Sequence, residues 1–194
     1  LYAWAVRRVN DCLPLVEPPQ RAYAVRDLGV VMVANGQWEQ AETCLNRASQ
    51  SLAALGYGYH ALECLTELYS GQMNQGVFSR LLPAIRETEW QARRQNQPTV
   101  LRWTLVMKLQ ALVRMDAAGL DEAQSCLNEI HAIPVYRTPV EVLSVCGLES
   151  VLAAARDDLQ QVLDKAKQVL EAAHRLGRGR YYVLFTLQWT IDAV

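Results

Sequence analysis

Ala41-Glu42-Thr43-Cys44-Leu45-Asn46 returns 82 residues later as Ala123-Gln124-Ser125-Cys126-Leu127-Asn128. A second echo keeps step with it. Leu55-Gly56 precedes an aromatic-rich stretch from Tyr57 to Leu65, and Leu176-Gly177 precedes another from Tyr181 to Leu187, 121 residues further on. Both offsets are multiples of about 40, so two independent features agree on one period. Between the glycines and prolines, apolar residues recur at helical spacing over helical lengths, and sustained period-two alternation is missing. The repeating unit is therefore a helical hairpin.

Working outward, the punctuation predicts helices over 1–13, 20–35, 37–55, 58–72, 76–95, 98–117, 120–132, 138–156, 158–176 and 179–193. Second helices of the hairpins should begin near Gln37, Gly76, Leu120 and Asp158. Pro14, Pro18, Pro19, Pro98, Pro134 and Pro139 fall between helices or in first turns, where proline is tolerated. Pro83 falls inside 76–95 and should bend that helix or mark a boundary within it. One hairpin cannot bury its own apolar face, but stacked hairpins cover one another. Ala22, Val25, Leu28, Gly29 and Met32 form one such stripe, and Trp38, Ala41, Leu45, Ala48 and Leu52 its partner. The small residues Gly29 and Ala41 are expected at their crossing. The expected fold is all-α: a right-handed α-solenoid of about four antiparallel hairpins plus flanking helices. It forms a single domain over 1–194, as a piece of a longer chain.

The composition narrows the function. Of the 194 residues 51% are hydrophobic, ample for a core, while a net charge of −1 offers no long-range field for phosphates or anionic lipid. No direct nucleic-acid contact is expected. The basic cluster His174, Arg175, Arg178 and Arg180 reads as a helix C-terminus, where cations suit the dipole. No apolar run is long enough to cross a bilayer, and no signal peptide is legible. Five scattered cysteines without a C-x-x-C pair argue for a reducing compartment, so a cytoplasmic location is expected.

Leu28-Gly29, three residues after Val25, followed by Asn35-Gly36-Gln37-Trp38-Glu39-Gln40-Ala41 and then Leu45 and Ala48, resembles a tetratricopeptide repeat. Gly119-Leu120-Asp121-Glu122-Ala123 with Leu127 matches in part. Elsewhere Leu81 and Val162 replace the small alanine of the pattern. A period near 40 with helices ending in Leu-Gly resembles the superhelical sensor segment of the maltose-regulon activator family. There the superhelix receives an inducer or an inhibitory protein. A HEAT-like or armadillo-like array has a similar period, but it does not account for the Asn-Gly-x-aromatic-Glu-x-Ala turn.

Chemistry is harder to find. His60 and Cys64 share a helical face near Glu63, a pairing that could activate a thiolate or ligate a metal, but a third and fourth group are missing. They read as packing. So do Cys44 and Cys126, which repeat one position. There is no phosphate-cradling Gly-Lys-Thr loop and no dinucleotide fingerprint, and Gly56-Tyr57-Gly58 and Gly177-Arg178-Gly179 follow helices rather than strands. No enzyme, cofactor or metal is expected.

What remains is surface. The resemblance implies that first helices line an inner groove. It places Tyr23, Arg26, Val30 and Val33 there, then Glu63, Thr66, Ser70 and Met73, then Leu105, Lys108, Leu112 and Met115. The polar members, Tyr23, Arg26, Glu63, Thr66, Ser70 and Lys108, are the candidate contacts to a protein or peptide. The resemblance also leaves open a small-molecule inducer sensor belonging to a transcription-regulating ATPase. Residues 181–191 are apolar on nearly every side, which suits the first helix of a fifth hairpin. Self-association through that helix, or its continuation by another, is expected.

Overall fold

The computed structural model describes residues 2–73, 75–115, 119–134 and 139–176. Regular structure among them is helical throughout: α1 (Tyr2–Cys12), α2 (Pro18–Ala34), α3 (Trp38–Ala54), α4 (Gly58–Met73), α5 (Leu82–Arg94), α6 (Pro98–Leu112), α7 (Leu120–Ala132), α8 (Pro139–Ala154) and α9 (Leu159–Leu176), with a 3-10 turn at Leu13–Leu15. The helix expected at 179–193 lies outside the described residues.

Five of the helices, α2, α3, α4, α5 and α8, end by a shared device. Gly36, Gly56, Gly76, Asn96 and Asp157 have φ of 72°, 84°, 77°, 51° and 59°, the left-handed conformation of a C-cap. After α2, the Gly36 N–H returns to the Val33 carbonyl and the Gln37 N–H to the Met32 carbonyl. The same pair of bonds recurs at each of the other four positions. Gly36, Gly56, Gly76 and Asn96 are spaced by 20 residues. Helix plus turn, taken twice, is the physical origin of the period near 40. The residue that closes one cap opens the next helix: the carbonyls of Gln37, Tyr57, Gln97 and Asp158 accept the first helical bonds of α3, α4, α6 and α9. Connections this short make neighbours antiparallel.

The segment 76–95 departs from expectation. α5 starts at Leu82 with Pro83 in its first turn, and the stretch ahead of it is turn. Proline has no N–H to give a helix interior, so Pro83 marks a start, not a bend.

The chain divides into two compact units, residues 1–104 and 105–194. In the first, α2, α3 and α4 share one core: Ala22 and Val25, then Leu45, Ala48 and Leu52, then Ala61, Cys64 and Leu68. Leu45 and Leu52 have no exposed surface, and burying each is worth about 1.5–3 kcal/mol. Gly29 meets Leu45 and Cys44, so the close approach expected against Ala41 falls one turn further along α3, while Ala41 packs with Leu28 and Met32. Contacts pair α2 with α3, and α3 with α4, in opposite chain order. Contacts of α2 with α4 pair them in the same order: Tyr23 with His60, Arg26 with Glu63, and Val33 beside Gly71. Two first helices thus lie parallel, side by side.

In the second unit α7 meets α8 through His131–Glu149 and the turn after α8 through Gln124–Arg156, and α8 meets α9 through Cys146–Gln168 and Glu149–Lys165, again in opposite order. Ala41 is the fourth residue of α3 and Ala123 the fourth of α7, and both are buried. The echoed segments 41–46 and 123–128 therefore begin at the same position of their helices.

Candidate interaction face on α2 and α4

Because α2 and α4 run in parallel, residues about 37 apart meet across their seam, and polar and aromatic side chains gather there. Arg26 donates to Glu63 Oε2 at 2.8 Å and to Asp27 Oδ1 at 2.8 and 3.0 Å. His60 Nδ1 lies 3.1 Å from the same Glu63 oxygen. The guanidinium also stacks on the Tyr23 ring at 5.4 Å. His60 stands edge-on between Tyr23 and Tyr59, at 5.0 and 4.9 Å, and Tyr57 approaches Tyr23 at 6.1 Å. Arg26 and Glu63 keep 23% and 35% of their side-chain surface exposed, so the pair fixes the register of the two helices while its outer edge faces solvent. Screening leaves such a pair worth only about 0–1 kcal/mol for stability.

The electrostatics lean negative. One turn beyond Glu63, burial raises the Glu67 carboxyl above the ordinary range and the Glu63 charge adds to this, with Arg26 opposing. Burial likewise raises the Tyr59 phenol, with Glu63 adding and Arg26 opposing. Burial holds Arg26 back, but the hydrogen bond and charge of Asp27 and the charge of Glu63 together raise its pKa.

Of the six candidates, Tyr23, Arg26 and Glu63 come together here. Thr66 is buried, and its hydroxyl donates to the Glu63 carbonyl at 2.8 Å. Ser70 is half-buried further along α4. Lys108 lies in the second unit, where it bridges α6 to Glu122 of α7 at 3.0 Å. Among the apolar positions of the same set, Val30 and Val33 pack against the core. Met73, Leu105 and Leu112 are buried, and Met115 is exposed. Sequence reasoning passed over Tyr59 and Glu67 and read His60 as packing beside Cys64, not as part of this face. Tyr59, Glu63 and Glu67 recur every four residues, a ridge that was readable; its facing partners on α2 depend on a parallel offset that no local pattern reveals.

Cys64 points away from this face into the core, and burial pushes its thiol up to about 12, with Glu63 and Glu67 adding and Arg26 opposing. A nucleophilic cysteine needs the reverse shift. Among the described residues no three of His, Cys, Asp and Glu cluster as metal ligands would, and no helix is long and apolar enough to cross a membrane.

Glu149, nearly buried on α8, receives His131 of α7 at 2.8 Å and Lys165 of α9 at 2.9 Å. Both oxygens are occupied in joining three helices. A cleft of about 250 Å³ between α2 and α3, lined by Arg21, Val25, Arg47 and Ser51 among others, falls below the roughly 300–1,000 Å³ of small-molecule sites.

No family model, no curated protein and no solved structure matches this chain.

Proposed function

We propose that this chain is a tetratricopeptide-like, right-handed solenoid of helical hairpins that serves a larger cytoplasmic regulatory protein as an interaction module. It holds a peptide segment of a partner protein against the first helices α2 and α4 and carries out no chemistry. One observation carries the reading: parallel α2 and α4 present Tyr23, Arg26, His60, Glu63 and Glu67 on one half-exposed seam. Tyrosine faces and carboxylates together suit a segment bearing lysine or arginine, through cation–π and charge-assisted contacts. Arg26, held by Asp27 and Glu63, orients those carboxylates.

The reading is tested by selecting peptides from a random display library on the full chain and measuring their affinity by fluorescence anisotropy. Tyr23→Ala and Glu67→Gln should each weaken binding by about tenfold, the loss of one interface anchor, without changing the circular dichroism. Peptides that bind both variants as tightly as the parent chain would place the binding surface elsewhere.

A further inference from the structure

The cleft between α2 and α3 opens at the end where α2 begins and α3 finishes. Pro18, Arg21 and Val25 line it from α2, and Arg47, Ser51 and Leu55 from α3 and its cap. Its two cations have no carboxylate to answer them, for no acidic residue borders the cleft. Arg21 gives Nε and Nη2 to the Val16 and Pro14 carbonyls, which steadies the guanidinium and leaves Nη1 uncommitted. Arg47 is exposed and makes no hydrogen bond or ion pair with any described residue. The Ser51 hydroxyl likewise has no acceptor among them. Packing alone does not call for a cation here. At the offset of 121 residues Val25 and Arg47 become Cys146 and Gln168, a neutral pair that closes to 3.8 Å between α8 and α9. At the offset of 82 Arg47 becomes Glu129, of the opposite charge. Three donors directed at one cleft thus set the α2–α3 hairpin apart from its repeats.

The donors narrow the ligand. Phosphate sites commonly draw on the free amides of a helix N-terminus. α2 opens with Pro18 and Pro19, which have no N–H, and the Arg21 N–H already goes to the Glu17 carbonyl. What is left is two guanidinium edges and one hydroxyl, a set that suits the two oxygens of a carboxylate. Ala22 and Val25 add buried apolar wall, and exposed Leu55 adds an apolar rim. The volume equals that of about eight waters. A drug-sized ligand needs more, but a carboxylate on a short aliphatic stem fits. We infer that this cleft binds a small aliphatic carboxylate, its oxygens on Arg21, Arg47 and Ser51 and its stem against Ala22, Val25 and Leu55. The inference does not depend on peptide binding at the α2–α4 seam, which lies on another side of α2.

The test is a titration of the full, isotope-labelled chain followed by amide chemical shifts, with acetate, butanoate, hexanoate and octanoate as ligands and hexanamide and inorganic phosphate beside them. Saturable shifts should gather in residues 18–25 and 47–55. Affinity should rise from acetate to hexanoate and gain nothing further at octanoate, whose stem outgrows the cleft. Hexanamide keeps the shape and loses the charge, so it should bind at least about tenfold more weakly, and so should hexanoate on Arg47→Ala. That variant should keep the fold, because Arg47 holds no other group, and Arg47→Lys should recover part of the affinity as a point charge. Hexanoate that binds the parent and Arg47→Ala alike would overturn the inference. So would shifts that never saturate or that fall elsewhere. Phosphate bound as tightly as hexanoate would overturn it too, since the cleft would then be an adventitious anion site.

Discussion

Gly29→Ala puts the packing of α2 on α3 to a quantitative test. In an isolated helix the change favours folding by about 1 kcal/mol, because alanine loses less backbone freedom than glycine. Here a Cβ on residue 29 would stand 2.7 Å from Leu45 Cγ, 3.0 Å from Leu45 Cδ2 and 3.2 Å from Cys44 Cβ. Leu45 is fully buried, and its Cγ is a branch point that cannot swing aside as a flexible tip would. Forcing a methyl into such a site costs about 1–3 kcal/mol. With Cys44 Cβ fixed to its backbone the upper part of that range applies, so the overpacking outweighs the propensity gain. The expected net loss is about 1–2 kcal/mol, or about 2–8 °C in Tm for a chain of this size. Urea denaturation should show a lower midpoint at unchanged slope. Leu45→Ala alone should cost about 2–5 kcal/mol, and the double variant should cost less than the sum of the singles, by at least about 0.5 kcal/mol, because the new methyl occupies part of the vacated space. A stabilised Gly29→Ala, or strict additivity in the cycle, would refute the crossing described for α2 and α3.

Four further outcomes follow from the structure. The Glu67 carboxyl is raised by burial, so the native state holds its proton more tightly than the unfolded chain, and stability falls as pH rises from the ordinary carboxyl range through the raised value; Glu67→Gln should therefore raise Tm more at pH 7 than at pH 4, and an equal effect at both would contradict the shift. Exposed Cys12 should be alkylated promptly at pH 8, whereas Cys64, buried with its thiol near 12, should react only at the rate of unfolding; rapid labelling of Cys64 in the native chain would mean that the α2–α3–α4 core is open. Asn96→Gly, at φ 51°, should stabilise by up to about 1 kcal/mol because glycine takes the left-handed cap without strain, and a fall in Tm would argue against the cap at the end of α5. Glu149→Ala should cost about 1.5–3 kcal/mol by removing the charged hydrogen bonds that Lys165 and His131 make to it, and a loss under about 0.5 kcal/mol would show that the three-helix junction carries little.

Much of the helix order was legible because the chain marks it with residues that have few other reasons to be there. Glycine at 56 announced a C-cap, Asn35-Gly36 a turn, and the spacing of Val25, Leu28 and Met32 a buried stripe that the structure places in the core. Asn96 and Asp157 close helices in the same way as the glycines. Their left-handed backbone shows only in three dimensions, because both residue types serve equally well in ordinary turns. The start of α5 was mistaken because helical periodicity runs on through 76–81, and only Pro83 signalled otherwise. The candidate face was legible in halves. Tyr23 with Arg26, and Glu63 alone, could be set on their own helices, but the meeting of Arg26 with Glu63 depends on how two non-consecutive helices slide past each other. Thr66, placed among the surface contacts, is buried on the side of α4 that carries Leu62 and Tyr69, which pack against Ala92 and Thr88 of α5, a contact that the sequence of α4 does not announce.

The most direct test of the interaction-module account is amide hydrogen exchange of the full chain, with and without a saturating peptide selected on it. The account predicts slowed exchange concentrated in residues 20–30 of α2 and 58–68 of α4, with the other described helices unchanged. Protection that spreads evenly over the chain, or that concentrates in α7 to α9 and spares α2 and α4, would contradict it.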